Sequence, residues 1–277
     1  MHPPFRTIRI SDPRFSSEGL RYVTVKSANL AGRGDITFWC PELPDAHTEP
    51  LPLVMLLHGV YGSHWAWTHN AGVHRTAARL MEEGYLQPMV LAMPSDGLWG
   101  DGSGYLPHPQ QDFERWILDD VPLAAAAAFP ELFPTGAAST LFLTGLSMGG
   151  FGALRLTAKY PERVRGVYGL SSITHLDQMS LFVEEPLSAY RQPDPANESV
   201  LELMLQNRER LPPIGFDCGT EDLLLEHNRE LHHALTSHGI AHTYREWPGG
   251  HEWPYWERHI EDALLFFNAL LPAGRNS

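Results

Sequence analysis

The chain has 277 residues and a net charge of −13, from 33 acidic and 20 basic side chains. Its hydrophobic residues (43%) and charged residues (19%) are in the proportions of a globular protein, which excludes a largely disordered chain. The negative charge disfavours nucleic acid and anionic membrane surfaces as partners. No apolar run approaches the roughly 18 residues of a membrane span. We therefore expect a soluble protein, and we expect it in the cytoplasm because the N-terminus lacks the apolar run of a secretory signal.

Short apolar runs alternate with helical stretches from about Tyr22 to the C-terminus, as in a mostly parallel sheet covered on both faces. This pattern predicts one α/β domain over residues 1–277. In chain order, the predicted strands are 22–25, 36–39, 53–57, 89–93, 141–144, 164–170, 214–218 and 242–246. The predicted helices are 73–83, 114–129, 151–159, 223–238 and 253–271.

Three connections are informative. The first two strands are expected to pair antiparallel at an edge, joined by a loop that contains Gly32 and Gly34. Residues 95–109 form a long loop rich in Gly and Asp, and loops of that length usually serve a site. Residues 171–213 include Pro186, Pro193 and Pro195, and this pattern indicates an irregular, cap-like insertion within the domain.

The strongest chemical signal is a G-x-S-x-G sequence, Gly145-Leu146-Ser147-Met148-Gly149, between a predicted strand and a predicted helix. A serine on such a sharp turn needs neighbours without bulk, which explains the flanking glycines. The amide N–H groups at the start of the helix would stabilise negative charge near the serine. The alternative is a glycine-rich turn with no catalytic role.

A nucleophilic serine needs a base, and the base needs an orienting carboxylate. On this kind of fold, the expected chain order is serine, acid, histidine. His251 lies in the loop between the last strand and the last helix, which makes it the best candidate for the base. Asp222 lies in the loop after the preceding strand and is the favoured acid, with Asp217 and Glu221 as rivals.

Acyl transfer also needs N–H donors for the oxyanion. One is expected from Met148, which follows the serine. The second is expected from the loop that begins at His58, where we favour Val60 over Tyr61. A simple turn that ends the strand is the alternative for that loop.

Aromatic residues in the loops after two sheet strands are candidates for the wall of a substrate pocket, although such residues also pack under long loops: Tyr61, Trp65, Trp99 and Tyr105. No metal site is expected, because His64, His69 and His74 are spaced five apart and do not share a helix face. The two cysteines, Cys40 and Cys218, are expected to be thiols packed in the core. The spacing of the glycines at 100, 102 and 104 disfavours a nucleotide site.

With these residues identified, the chain resembles the α/β-hydrolase superfamily and, within it, the esterase D-like group, most closely the tributyrin esterase type. The resemblance runs from about Tyr22 onward and is carried by four motifs: HGVYGSHW at 58–65, GLSMGG at 145–150, CGTED at 218–222 and GGHEW at 249–253. It implies the α/β-hydrolase fold, Ser147 as nucleophile, Asp222 as acid and His251 as base. It further implies Val60 and Met148 as oxyanion donors, with no cofactor.

The sequence therefore predicts a serine carboxylesterase that hydrolyses short-chain acyl esters through an acyl-enzyme intermediate. The alternatives are a thioesterase of the S-formylglutathione hydrolase type, an acyltransferase of the same family, and a non-catalytic binding protein on the same fold. The expected partner is a small-molecule ester, and the missing signal peptide favours intracellular esters. Apolar loop residues are compatible with a homodimer.

Overall fold

The computed structural model describes residues 5–44, 49–134 and 140–272, which are organised around a sheet of nine strands. Strands are numbered in chain order, and β6 and β7 form a separate small hairpin. Their bounds are β1 Ile8–Ile10, β2 Leu20–Ser27, β3 Gly32–Trp39, β4 Leu53–Leu57, β5 Val90–Pro94, β6 Pro107–His108, β7 Gln111–Asp112, β8 Leu141–Leu146, β9 Gly166–Leu170, β10 Ile214–Gly219 and β11 Thr243–Trp247.

The order of strands across the sheet is β1-β2-β3-β5-β4-β8-β9-β10-β11. Strands β1, β2 and β3 pair antiparallel, and β3 is also antiparallel to β5, whereas every pairing from β5 to β11 is parallel. The chain thus moves outward from β4 to β5 and then returns to β8 on the other side of β4. In open α/β sheets, such a reversal places a binding crevice at the carboxyl ends of the strands.

Helices cover both faces of the sheet. Their bounds are α1 Ala66–Asn70, α2 Val73–Glu82, α3 Phe113–Arg115, α4 Val121–Ala128, α5 Met148–Lys159, α6 Val200–Gln206, α7 Leu225–Ser237 and α8 Trp253–Ala269. The buried apolar side chains of α1, α2 and α8 form a core on one face. Those of α3 to α7 form the core on the other face. Among the helices in the described ranges, none is long and apolar enough to cross a membrane.

The mostly parallel α/β architecture is confirmed, and four local predictions need correction. Gly32 and Gly34 lie inside β3, not in a loop. At Gly34, a Cβ would come within 2.6 Å of the Trp116 ring, so close packing explains this glycine. The predicted helix over 114–129 is divided, because a π-helical turn at Trp116–Asp120 separates α3 from α4. The helix after Ser147 begins three residues earlier than predicted.

The segment 171–213 was expected to be irregular and is only partly so. It contains the α-helix α6 together with short 3-10 turns, at Leu176–Leu181, Leu187–Ala189, Pro195–Glu198 and Arg208–Arg210. Three polar side chains cap helical turns here by accepting from backbone N–H groups: His175 from Asp177, Asp194 from Ala196 and Ser199 from Glu202. The segment joins β9 to β10 and lies at the carboxyl edge of the parallel strands.

Candidate active site

Ser147 lies on the turn between β8 and α5 in a backbone conformation that few residues adopt. Its φ is +53° and its ψ is −119°, and its N–H donates to the carbonyl of Leu170 at 3.0 Å. At Gly145, a Cβ would come within 2.8 Å of the Leu57 carbonyl oxygen, and at Gly149 it would come within 2.6 Å of the His58 carbonyl oxygen. The glycines flanking the serine are therefore required by close backbone approach, and strain of this kind is concentrated at functional sites.

Ser147, His251 and Asp222 lie side by side in one hydrogen-bonded row. The His251 ring reaches both Asp222 carboxylate oxygens from Nδ1, at 2.9 and 3.1 Å, and reaches the Ser147 Oγ from Nε2 at 2.9 Å. Because a carboxylate only accepts, Nδ1 carries the proton and donates it to Asp222. The Nε2 atom is then free to accept the proton of the serine hydroxyl. The structure thus joins residues 104 positions apart in the chain.

The carboxylate and the imidazole of this row are held from several sides. The Asp222 side chain is fully buried and also accepts from the Leu224 N–H at 2.8 Å. The His251 ring stacks on Phe182 at 5.0 Å, with 28° between the ring planes, and contacts the Trp256 edge-on at 5.0 Å. These contacts leave the histidine side chain 15% exposed, which favours one ring orientation.

The two predicted oxyanion donors have N–H groups free to receive a ligand. Among the described residues, neither the Val60 N–H nor the Met148 N–H donates a hydrogen bond. By contrast, the N–H of Tyr61, the other candidate in that loop, donates to the Asp101 carbonyl at 2.8 Å. Tyr61 is therefore engaged elsewhere, which favours Val60 for this role.

His58 fixes the loop that carries Val60. Its Nε2 accepts from the Asp96 N–H at 2.9 Å, so its Nδ1 carries the proton and donates to the Gly59 carbonyl at 2.7 Å. Its own carbonyl accepts from the Tyr105 hydroxyl at 3.0 Å. His58 is buried and forms hydrogen bonds through both ring nitrogens and its carbonyl, so it organises the turn after β4.

The aromatic residues predicted to line a pocket have different surroundings. Tyr61 and Trp65 are 67% and 43% exposed and could meet a ligand. Trp99 packs against the rings of His108 and Tyr190. Tyr105 is completely buried, so its prediction as a pocket wall is wrong: its hydroxyl and ring support the neighbouring turn.

The other two candidates for the acid that orients the histidine, Asp217 and Glu221, do not contact His251. Asp217 lies inside β10, fully buried, and accepts from the Tyr255 hydroxyl at 2.7 Å. Its burial raises the pKa of that carboxyl to about 7. Glu221 is exposed, and it is the backbone N–H of this residue that bonds to the Gly249 carbonyl. Of the three candidates, only Asp222 meets the histidine.

Sequence reasoning missed Phe182 and Trp256 on the histidine and Asp101 behind Tyr61. No motif or spacing signals these residues. The loop containing Asp101 was predicted to serve the site, but only on the basis of its length.

The histidines considered for a metal each have a different neighbour. His64 bonds to Thr37, His74 to Glu18, and His69 packs on Trp65. Over the part of the chain that the structure describes, no group of three or more His, Cys, Asp or Glu side chains is arranged to hold a metal ion. Cys218 is buried and Cys40 is half-buried, and both thiols are free.

Comparison with known proteins identifies relatives over most of the chain. A family model described as "Putative esterase" matches residues 28–267. An acetyl esterase from Caldicellulosiruptor saccharolyticus is 27% identical over 238 residues, which are 79% of this chain and 84% of that protein.

Two solved structures have closely similar folds at low sequence identity. A ferulic acid esterase superposes with a TM-score of 0.75 at 20% identity, covering 97% of this chain and 100% of its own. An S-formylglutathione hydrolase from Agrobacterium tumefaciens superposes with a TM-score of 0.74, also at 20% identity, covering 97% of this chain and 99% of its own.

Proposed function

Because this chain belongs to the esterase family and is a carboxylic ester hydrolase, we propose that it is a serine carboxylesterase that acts on short-chain acyl esters. The observation that carries the proposal is the continuous row from the Ser147 Oγ through His251 to Asp222. Nucleophile, base and orienting carboxylate are each within hydrogen-bond reach of the next, which is the geometry that such catalysis requires.

In the proposed reaction, the Ser147 Oγ attacks the ester carbonyl carbon while Nε2 of His251 takes its proton. The carbonyl oxygen becomes an oxyanion, which the Val60 and Met148 N–H groups stabilise. The tetrahedral intermediate then collapses, and the alcohol leaves with the proton held by the histidine. Water, deprotonated by the same nitrogen, attacks the acyl-enzyme, and the acid departs as the serine recovers its proton. Asp222 holds the ring in the required tautomer throughout.

The charge around the site favours neutral oxyesters over glutathione thioesters. Five stretches at the carboxyl edge contain no Lys or Arg: residues 58–65, 95–109, 171–190, 219–224 and 248–253. The rest of the segment 171–213 contains three arginines, of which Arg191 pairs with Asp177 and Glu198, and Arg208 pairs with Glu209. Three of these five stretches carry exposed carboxylates, those of Glu184, Glu221 and Glu252. A glutathione thioester carries two carboxylates and one ammonium group, so it is a net anion, and like charges repel across a few ångströms of water. The name of the acetyl esterase relative supports a short acyl group.

The test is hydrolysis of p-nitrophenyl esters from acetate to octanoate by the wild type, by Ser147→Ala, and by Ser237→Ala as a control serine remote from the site. We expect turnover to be highest for the shortest chains, to be lost by at least about 10³-fold in Ser147→Ala, and to persist in the control. Undiminished turnover by Ser147→Ala would exclude the proposed mechanism.

The substrate charge is tested in the same assay by comparing phenyl acetate with 4-carboxyphenyl acetate, each corrected for its rate in buffer, with S-formylglutathione run alongside. We expect a kcat/KM at least about threefold lower for the anionic ester, and we expect the gap to narrow at high salt. A preference for S-formylglutathione would favour the thioesterase alternative.

A further inference from the structure

A strip of four residues in the segment after β9, Phe182 to Glu185, contacts both sides of the candidate site. We call it the strap. At one end, the Phe182 ring stacks on His251 at 5.0 Å. Two residues further on, the Glu184 N–H donates to the Asp101 Oδ2 at 2.7 Å. The N–H of Asp101 in turn donates to the Glu185 carboxylate at 3.1 Å. The strap is thereby joined to the loop over 95–109 by two reciprocal bonds.

Asp101 makes two more bonds, on its other side, to the loop that carries the oxyanion donor. Its carbonyl accepts from the Tyr61 N–H at 2.8 Å, and its Oδ2 accepts from the Tyr61 hydroxyl at 3.1 Å. Tyr61 has a φ of +57°, which disfavours a residue with a side chain. The bonds to Asp101 hold Tyr61 in that conformation, immediately after Val60.

Two glycines beside Asp101 show how closely this loop approaches its neighbours. At Gly100, a Cβ would overlap the Glu185 carboxylate. At Gly102, a Cβ would lie 3.0 Å from the Met148 Cε and 3.3 Å from a Val60 methyl group. The loop therefore passes against the strap and against both oxyanion residues, with Asp101 between these contacts.

From this arrangement, we propose that Asp101 is a positioning residue that fixes the oxyanion donor of Val60 relative to the base His251, through Tyr61 on one side and the strap on the other. The inference rests on the proposed function, because it assigns a role within that reaction. Misplacing a reacting group by about 1 Å costs about 10²-fold in rate, so loosening the donor lowers the rate of the chemical step more than it weakens substrate binding.

The bonds themselves select the variants for a test. Both Tyr61 and Glu184 donate to the same atom, Oδ2, so the amide oxygen of Asp101→Asn can accept from both. Asp101→Ala removes both side-chain bonds and leaves the backbone bonds. Tyr61→Phe removes one bond. Asp177→Ala is the control, since Asp177 is an exposed carboxylate of the same segment that pairs with Arg191 at the surface.

For p-nitrophenyl acetate, we expect Asp101→Ala to lower kcat at least tenfold while KM changes less than threefold. Asp101→Asn should recover to within about threefold of the wild type, Tyr61→Phe should lie between them, and Asp177→Ala should match the wild type. An equal loss of kcat in Asp101→Asn and Asp101→Ala would show that the negative charge of Asp101 matters and that its tether, the hydrogen bonds from Tyr61 and Glu184, does not. Wild-type kcat in Asp101→Ala would overturn the proposal outright.

Amide hydrogen exchange provides a readout that does not depend on turnover. Asp101→Ala should accelerate exchange in peptides that cover residues 59–62 and 182–185, and Asp101→Asn should restore the wild-type rate. Unchanged exchange in Asp101→Ala would refute the tether whatever the activity. If the wild type itself hydrolyses no ester, the proposed function fails, and the exchange result still decides whether Asp101 joins the two loops.

Discussion

Gly149→Ala tests the requirement for close approach at the serine turn. At this position, a Cβ would lie 2.5 Å from the Leu57 carbonyl carbon and 2.6 Å from the His58 carbonyl oxygen, and Cβ atoms essentially never come closer than 3.0 Å to such atoms. The start of α5 and the end of β4 would have to separate by at least about 0.5 Å. That separation moves Ser147 relative to the oxyanion loop. Since about 1 Å of misplacement costs about 10²-fold, we expect kcat to fall at least about tenfold.

The same overlap costs about 1–3 kcal/mol of stability, so a fall in the melting temperature accompanies the kinetic loss. The assay is kcat for p-nitrophenyl acetate on protein shown to be folded by circular dichroism. The matched control is Gly250→Ala, next to His251, where a Cβ would have its nearest contact at 3.7 Å, with the Glu221 carbonyl oxygen. We expect this control to stay within about twofold of the wild type. A folded Gly149→Ala protein with wild-type kcat would refute the reasoning.

Three further predictions concern buried polar groups away from the serine. Arg155 is fully buried and donates to Glu114 at 2.6 Å. Because Arg155→Leu leaves that buried carboxylate without this partner, the substitution should lower the free energy of unfolding in urea titrations by about 3 kcal/mol. A loss below about 1 kcal/mol would contradict this. The pKa of Asp217 is about 7 in the folded protein and 3.8 in the unfolded chain. Between these two pH values the carboxyl is therefore protonated in the folded protein and ionised in the unfolded chain. Its contribution to stability therefore falls as the pH rises from about 4 to 7, and Asp217→Asn should be more stable than the wild type at pH 8, by up to about 4 kcal/mol, with the difference vanishing near pH 4. Thermal unfolding across that range measures it, and a variant less stable at pH 8 would contradict the reasoning. Burial raises the pKa of Cys40 to about 11 and that of Cys218 further, so iodoacetamide at pH 7.5 should leave esterase activity unchanged; inactivation would show a reactive thiol at the site.

The order of the elements and the identity of the main site residues could be predicted from the sequence, because both follow local rules. Continuous apolar runs such as Leu53–Leu57 belong to strands buried on both faces, and all five of its residues are buried. A serine between glycines, after a strand and before a helix, indicates a strained turn wherever it occurs. The carboxyl ends of parallel strands share an edge, so residues that follow different strands, such as Asp222 and His251, were expected to meet.

Predictions from local sequence were wrong where a contact with a residue distant in the chain determines the position of a side chain. Gly34 was assigned to a loop because glycine usually breaks strands, but it lies in a strand because the Trp116 ring packs against it. Tyr105 was assigned to a pocket because it is aromatic and in a long loop. It is buried because its hydroxyl reaches the carbonyl of His58, 47 positions away. Neither partner is signalled by any spacing in the sequence.

The finer geometry of the site was decided only by the tertiary structure. The sequence favours Val60 over Tyr61 as oxyanion donor but shows no contact that separates them. The structure separates them because the Asp101 carbonyl, 40 residues beyond Tyr61, accepts the Tyr61 N–H, whereas the Val60 N–H has no acceptor among the described residues. Phe182 is one of 12 phenylalanines until the fold places its ring on His251. Backbone strain and apolar patterning depend on a few neighbouring residues, so they can be predicted from the sequence. A hydrogen bond or a ring contact between distant loops exists only when the sheet has brought their ends to one edge.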